Sequence, residues 1–151
     1  MARQRWLSVK IELLSGRDLV LDHPPGRVVI ASPAHTLAEL AEAIDVAFAR
    51  WDHSHLHEFQ LGDGKRYMLG GSDFEPEVID STGVTLASLD LDVGMSFEYV
   101  FDLGDDWRHR CEVQSVDADP EEEYGASPDR PVPIWGWGWI PDQYGRVRED
   151  E

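Results

Sequence analysis

Three histidines stand at every second position in HSHLHEF, residues 53–59. In an extended chain, side chains two positions apart project to one side, so His53, His55 and His57 could converge on zinc or another divalent cation. A metal held there could activate water for hydrolysis. The same spacing reaches the apolar Phe59, which favours instead a strand whose histidines turn toward the core. The sequence therefore predicts structural histidines without a cofactor, and keeps a divalent metal site as the alternative.

A second group of polar residues lies in DLGDDWRH, residues 102–109. Its carboxylates would surround a turn, where aspartate is also favoured because its side chain bonds to the turn backbone. Its histidine shares the spacing of a tryptophan on an apolar face, which favours a core histidine. If this turn met the HSHLHEF strand, the two segments could form a mixed nitrogen and oxygen site. The candidate binding residues are His55, His57, Asp102, Asp105, Asp106, Trp107, His109 and Trp137.

Tryptophan and glycine alternate from Trp135 to Trp139. Such a stripe could stack on a base, a sugar or a peptide, but base stacking normally accompanies a basic groove, and the surrounding sequence is acidic. The sequence favours an irregular Trp-rich segment that lies across the sheet and completes the core. An exposed stripe would instead indicate a partner interface, with Trp137 as its candidate residue.

The charge of the chain is strongly negative and unevenly placed. The formal net charge is -17, and residues 51–151 carry all of it, since residues 1–50 have six basic and six acidic side chains. Nucleic-acid binding normally needs clustered Lys and Arg, so direct contact with DNA or RNA is disfavoured. A protein partner with a basic surface, or a cation, fits better. The alternative is that the acidic residues only maintain solubility.

Length and cysteine content predict one intracellular domain. A chain of 151 residues can bury a core without a disulfide or a metal, and Cys111 has no second cysteine to pair with. The sequence has no apolar run typical of a signal peptide or a membrane span, so we expect a cytoplasmic protein. We expect a single domain over 1–151, with an acidic Pro/Gly-rich loop at 117–134 and a flexible tail at 145–151.

No motif of a known enzyme class is complete in this chain. GDGK lacks the first glycine and the Ser or Thr of a phosphate loop, and the patterns HExxH, GxSxG and CxxC do not occur. DLDVG lacks the glutamate that a calcium loop requires at its twelfth position. The sequence therefore identifies no catalytic residue and favours a protein that is not an enzyme.

The strands that would position these residues form hairpins. Apolar residues alternate in WLSVKIELL and RVVIA, which predicts an opening hairpin, and again on both sides of the turn pair DG within 57–69. SFEYVFDL and WRHRCEV would form a third pair. Matching their apolar faces predicts a three-residue loop, which places Leu103 opposite Trp107 and Asp102 opposite Arg108 as an ion pair.

One helix is expected to cover this sheet. Thr36 begins a capping box, which predicts a main amphipathic helix over about 36–50. Its apolar spacing puts Trp51 on the buried face, while Asp45 and Arg50 would point away from that face. The predicted class is α+β, with a mostly antiparallel sheet.

These residues resemble a known family. Trp51 with HLHEF, and Tyr99 with DLGDDWRH, are similar to motifs of the plasmid pRiA4b ORF-3-like family, which is also met as a resolvase-named passenger of an insertion element. The resemblance covers most of the chain, from about residue 24 to residue 145, and includes more loosely the closing WIPDQYG. It implies a compact fold with one helix on a mostly antiparallel sheet, and no agreed activity.

The resolvase name has no support in the residues. A serine recombinase would need a nucleophilic serine with supporting arginines and a basic DNA-binding region, and Ser8 lies instead on an alternating strand of an acidic protein. We expect a non-enzymatic protein-interaction module. A metal-dependent, hydrolytic site formed by residues 53–57 and 102–109 is the alternative, and an accessory role in the DNA transactions of a mobile element is a third hypothesis.

Overall fold

The computed structural model describes residues 4–53 and 55–145, which form a nine-stranded sheet with two α-helices. The strands are β1 (Trp6–Gly16), β2 (Leu19–Val20), β3 (Gly26–Ala31), β4 (His57–Gln60), β5 (Arg66–Met68), β6 (Ile79–Asp80), β7 (Ser96–Phe101), β8 (Trp107–Ala118) and β9 (Val132–Trp137), and the helices are α1 (Leu37–Ala47) and α2 (Pro120–Tyr124). The order across the sheet is β6-β5-β4-β7-β8-β1-β3-β9, and β2 pairs with β1. β5 and β6 pair in parallel, and the other described neighbours pair antiparallel. The fold is therefore consistent with the predicted α+β class, and its sheet is mixed.

Neither described helix has the length and apolar character needed to cross a membrane.

Strand β1 sets the two faces of the sheet. Val9, Ile11 and Leu13 are buried, while Lys10 and Glu12 alternate with them on the other side. β1 pairs antiparallel with β3 and β8, so the predicted opening hairpin is confirmed. The face that carries Ile11, which we name the inner face, packs with α1 in the main core.

The opposite face, the outer face, carries ion pairs. Lys10 Nζ lies 3.8 Å from Glu12 and 4.0 Å from Glu112. Arg108 lies 2.8 Å from Glu98 on the neighbouring strand. Partly exposed pairs of this kind contribute little stability each. The same face also carries a second, smaller buried cluster, formed by Trp6, Ile30, Ala118 and Val132.

Helix α1 begins where the sequence predicts it. Thr36 Oγ1 accepts a hydrogen bond from the Glu39 amide at 3.1 Å, and the Glu39 carboxylate accepts one from the Thr36 amide at 3.0 Å. This reciprocal pair satisfies amide groups that the first turn of a helix leaves without partners. Leu40 and Ile44 are then buried against the sheet.

The end of α1 differs from the prediction. The helix ends at Ala47, before the expected residue 50, because Ala49 adopts a left-handed φ of 58°. The Arg50 amide then donates to the Asp45 carbonyl at 2.8 Å. This tight turn buries Asp45 and Arg50, which were expected to point away, and leaves Trp51, expected in the core, 51% exposed.

The hairpin of β7 and β8 keeps the predicted faces but has a longer turn. Phe101 pairs with Trp107 and Tyr99 with His109, so the turn spans 102–106. The register therefore differs by two residues from the predicted one. A shift of two leaves every side chain on its own face, so the alternation of apolar residues could not reveal it.

The predicted cross-strand pair between Asp102 and Arg108 is wrong for the same reason. Asp102 lies in the turn with a left-handed φ of 61°. Arg108 contacts Glu98 at 2.8 Å and Asp106 at 2.9 Å. The carboxylate of Asp102 is thereby left to bond within the turn.

The C-terminal part is more regular than expected. The segment 117–134, predicted as a loop, contains the end of β8, helix α2 and the start of β9. The Trp-rich segment was predicted to be irregular, but β9 pairs with β3 and places Trp137 opposite Gly26. Of the predicted tail, residues 146–151 lie outside the described ranges.

Gly16→Ala should destabilise the fold, because a Cβ at this position would lie 2.1 Å from the ring of the buried Trp107. Overpacking of this kind lowers the free energy of unfolding by about 1–3 kcal/mol, which urea denaturation would measure. Gly83→Ala is the matched control, since no atom lies within 4 Å of a Cβ there. Equal stability of the two variants would contradict the packing described for Trp107.

Candidate functional site

Three separate sequence motifs meet around His55. Its Nδ1 lies 3.4 Å from Asp102 Oδ2, and its Nε2 contacts the Tyr144 hydroxyl. That hydroxyl donates to Asp52 Oδ2 at 2.6 Å, and this hydrogen bond raises the pKa of Tyr144 to about 12. HSHLHEF, DLGDDW and WIPDQYG thus contribute to one group. We name Asp52, His55, Asp102, Gln143 and Tyr144 the closing cluster.

Asp102 is oriented toward His55 by its own turn. Its Oδ1 accepts hydrogen bonds from the amides of Gly104 and Asp105, at 3.1 and 3.2 Å. Its own amide donates to the Leu56 carbonyl at 2.8 Å. These bonds hold the backbone in its left-handed conformation and direct Oδ2 toward His55. Short polar side chains are the non-glycine residues that tolerate this conformation best.

The other two aspartates of the turn have different partners. Asp105 Oδ2 accepts a hydrogen bond from Arg17 at 3.0 Å, and Asp106 Oδ2 accepts one from Arg108 at 2.9 Å. Neither carboxylate therefore points at a histidine. The mixed site predicted for this turn is reduced to the contact between His55 and Asp102.

Gln143 holds the C-terminal segment against the chain that follows α1. The sequence did not predict a role for this residue. Its Oε1 accepts from the amides of Trp51 and Asp52, both at 3.1 Å, and its Nε2 donates to the Asp52 carbonyl at 2.8 Å. The side chain is 2% exposed. The WIPDQYG resemblance was the available signal, but a glutamine carries no spacing rule that identifies its partners.

The three histidines of HSHLHEF turn to three different environments. His53 Nε2 donates to the Arg50 carbonyl at 2.5 Å, and His55 joins the closing cluster. His57 lies on the inner face beside Tyr99, where burial lowers its pKa. Over residues 4–53 and 55–145, no group of three or more His, Cys, Asp or Glu side chains could hold a metal ion. The predicted trio of ligands does not converge in this structure.

His109 is a core residue, as its spacing predicts, and it supports a buried arginine. Its Nδ1 donates to the Tyr99 carbonyl at 3.0 Å, so its Nε2 accepts from Arg50 Nη2 at 3.0 Å. Burial, and then the charge of Arg50, hold the pKa of His109 well below its usual range. The neighbouring Trp107 is also buried, and its Nε1 has no hydrogen-bond partner among the described residues.

A second buried carboxyl lies beside this pair. The Tyr99 hydroxyl donates to Asp45 Oδ1 at 2.7 Å. Burial raises the pKa of Asp45 to about 7, although the Tyr99 hydrogen bond and the Arg50 charge both act against that rise. The protonation of this carboxyl therefore changes within the physiological pH range.

These polar groups join separate segments of the chain, whereas the thiol of the chain lies in the core. Cys111 is fully buried, and burial raises the pKa of its thiol. Within the described ranges, the side chains of the closing cluster bond chiefly to one another and to nearby backbone. We therefore assign this cluster a structural role, which is to hold the C-terminal segment against the end of α1.

The tryptophan stripe is exposed, which corrects the prediction that it completes the core. Trp135 and Trp139 are 66% and 74% exposed, and Trp137 is 37% exposed. Exposed indoles close together in sequence form an apolar surface of the kind that commonly contacts a partner. Trp137 thus remains a candidate binding residue, now with two neighbours.

Glycine packing explains the alternation of tryptophan and glycine. A Cβ on Gly136 would lie 2.5 Å from the Arg27 side chain, and a Cβ on Gly26 would lie 2.1 Å from the Trp137 ring. In each of these two cross-strand pairs one residue is a glycine. The side chain of its partner can therefore lie directly over the glycine backbone. The indole of Trp137 lies over the Gly26 backbone as a result.

Strand β9 borders a groove. It is the last strand of the described sheet, with β3 on one side. Two depressions of about 450 and 510 Å³ are lined by residues of both β9 and α1, and both include Val46 and Pro133. We name this continuous surface, from Glu42 and Tyr124 at one end to Trp135 at the other, the edge groove.

Asp45→Asn should reduce the loss of stability between pH 5 and pH 8. The folded-state pKa of about 7 exceeds the ordinary value of 3.8, so between these values the folded protein holds a proton that the unfolded chain has released. The stabilisation from this group is complete below the lower value and is lost as pH rises through the higher one. Guanidine denaturation at both pH values would measure it. The exposed Asp73→Asn is the control, and an unchanged pH dependence in Asp45→Asn would contradict the assignment.

Gln143→Glu should lower the free energy of unfolding by about 2 kcal/mol, because the carboxylate keeps the acceptor but loses the donor to the Asp52 carbonyl. Hydrogen exchange of the Trp51 and Asp52 amides should accelerate with it. Gln114→Glu is the matched control, since it likewise removes a donor, here to Glu112 at 2.8 Å, but at an exposed position. If both variants were equally stable, Gln143 would not fasten the segment.

Comparison with known proteins identifies the family. The family described as Plasmid pRiA4b ORF-3-like protein matches residues 6–133. Uncharacterized protein y4hQ of Sinorhizobium fredii (strain NBRC 101917 / NGR234) is 34% identical over 79 residues, which make up 52% of this chain and 40% of that protein, so the match spans less than half of the relative. The crystal structure of protein of unknown function MM3350 from Methanosarcina mazei Go1 is similar in fold, with a TM-score of 0.69 and 18% identity over 89% of this chain and 71% of that one. The chain belongs to the plasmid pRiA4b ORF-3-like family.

Proposed function

We propose that this protein is a non-enzymatic binding module that holds an extended, positively charged segment of a partner protein along β9. One observation carries the proposal: in the described sheet β9 pairs with β3 on one side only, and Trp135 beside it is 66% exposed. Extended peptides add to such edges as a further strand. Backbone hydrogen bonds then provide affinity, and side-chain contacts provide specificity.

The edge groove would provide those side-chain contacts. Val46 is 59% exposed on the α1 side of the groove, opposite Pro133 and Trp135 of β9. Tryptophan is over-represented among the residues that dominate binding energy at protein interfaces. An added strand would therefore bury apolar surface in addition to pairing its backbone.

The charge of the chain favours a basic partner over a second copy. Two chains of net charge -17 would repel each other at short range. Glu39 and Glu42 line the groove itself. A segment rich in lysine or arginine would gain electrostatic attraction on approach.

The other two hypotheses receive less support. A metal-dependent hydrolase would need His53, His55 and His57 to share one ion, whereas their side chains have separate partners or environments. A DNA-associated role would need a basic surface, and the basic residues of the outer face are paired with carboxylates. Within residues 4–53 and 55–145, neither hypothesis has a site that matches its chemistry.

A synthetic strand-forming peptide tests the proposal. An end-blocked peptide of four Lys-Val repeats should bind, with a change in tryptophan fluorescence, and its Glu-Val counterpart should not. Trp135→Ser should weaken binding by about tenfold. Phe74→Ser, which removes a ring that is 95% exposed and lies outside the groove, should leave the affinity unchanged. Equal binding of both peptides, or equal loss in both variants, would refute the proposal.

A further inference from the structure

The edge groove has two chemically different ends. Glu39, Glu42 and Tyr124 line one end, which we name the acidic end. Trp135 and Trp137 line the other, which we name the aromatic end. β9 runs from the acidic end toward the aromatic end, because Val132 lines the first depression and Trp137 the second. A bound strand would therefore meet these two surfaces in a fixed order.

Backbone pairing is restricted to the aromatic end. Pro131 and Pro133 both line the acidic end. Proline has no backbone N–H to donate to a neighbouring strand. A further strand can form a continuous ladder only beyond Pro133, along Ile134 to Trp137. At the acidic end the ligand must be recognised through its side chains.

The charges also differ between the two ends. The acidic end is lined by the carboxylates of Glu39 and Glu42, with Arg130 as the cation in the same lining. Glu39 is already bonded to Thr36, which leaves Glu42, exposed on α1, as the better placed carboxylate.

At the aromatic end the basic residue in the lining is bonded to the backbone of its own chain. Arg27 Nη1 donates to the carbonyls of Gly26 and Trp137, at 2.6 and 2.9 Å. Burial also lowers the pKa of Arg27. The indoles of Trp135 and Trp137 project from the outer face, since these residues pair with Val28 and Gly26, whereas the α1 side of this end is lined by Val46, Pro133 and Gly136. Because successive side chains of a strand point to opposite faces, an added strand would meet the indoles on one face and the groove on the other, and both surfaces favour apolar side chains.

We infer that the bound segment runs antiparallel to β9, with apolar residues in its N-terminal half and lysine or arginine in its C-terminal half. This inference rests on the proposed function. Antiparallel pairing is the arrangement of β9 with β3 and of β3 with β1. A strand that runs opposite to β9 reaches the aromatic end first and the acidic end last.

Two peptides of identical composition test the order. The first is Val-Thr-Val-Thr-Lys-Thr-Lys-Thr and the second is Lys-Thr-Lys-Thr-Val-Thr-Val-Thr, both blocked at their ends so that terminal charges do not contribute. Fluorescence anisotropy of labelled peptides with the full chain should show about threefold tighter binding of the first peptide. Glu42→Gln should remove most of this preference. Glu77→Gln, an exposed glutamate that does not line the groove, should keep it.

The outcomes separate this inference from the proposed function. If both peptides bound equally, or the second bound more tightly, and Trp135→Ser weakened both, β9 would be a binding edge but the inferred order would be wrong. If a preference for the first peptide persisted in Glu42→Gln, the acidic end would not be its source and the inference would fail. If neither peptide bound, the proposed function and this inference would fail together.

Discussion

The guanidinium of Arg50 lies just beyond the end of α1, 6% exposed, over the rings of Phe101 and Trp107 at 5.2 and 5.6 Å. Burial lowers its pKa to about 10. A charge removed from water is tolerated only where other groups compensate for its lost hydration. The ring faces, the Phe48 carbonyl and the neutral His109 provide that compensation. These residues come from the turn directly after α1 and from β7 and β8, so one buried charge fixes how the end of the helix meets the sheet.

The position of Arg50 also determines the path of the following chain. Its carbonyl accepts the hydrogen bond from His53, and the next residues carry Asp52 and His55 toward Asp102. Residues that could have surrounded a metal ion are thereby distributed over the turn, the closing cluster and the inner face. One end of the molecule is consequently closed by polar contacts, while the edge groove stays open.

Local patterns in the sequence predicted the elements well, and long-range contacts account for the differences. The alternation in β1 and the capping box at Thr36 depend on neighbours within a few residues, so both could be predicted from the sequence. The β7–β8 register was not, because a two-residue shift preserves every face. The burial of Asp45 and Arg50 was missed because helical spacing treats charged residues as exposed, and their partners lie more than fifty positions away.

In the candidate site, too, the features that the sequence did not predict depend on long-range contacts. The sequence favours burial of the tryptophans, because indoles are usually buried. The direction of their side chains becomes clear only from the close approach of β3 to the glycines of β9. Gln143 could not be assigned from the sequence, since its partners, the backbone groups of Trp51 and Asp52, carry no pattern at all.

The central place of β1 in the sheet has a consequence for the order of folding. Val9 pairs with Val29 on one side and with Val113, 104 positions later, on the other. Contacts between distant parts of a chain form slowly, because the loop between them must close before any stabilisation is gained. The hairpin of β1 and β3 can form early, whereas the other edge of β1 stays unpaired until β8 is in place. During that interval a nascent chain exposes an unpaired, largely apolar strand, which makes β1 the segment at which self-association competes with folding.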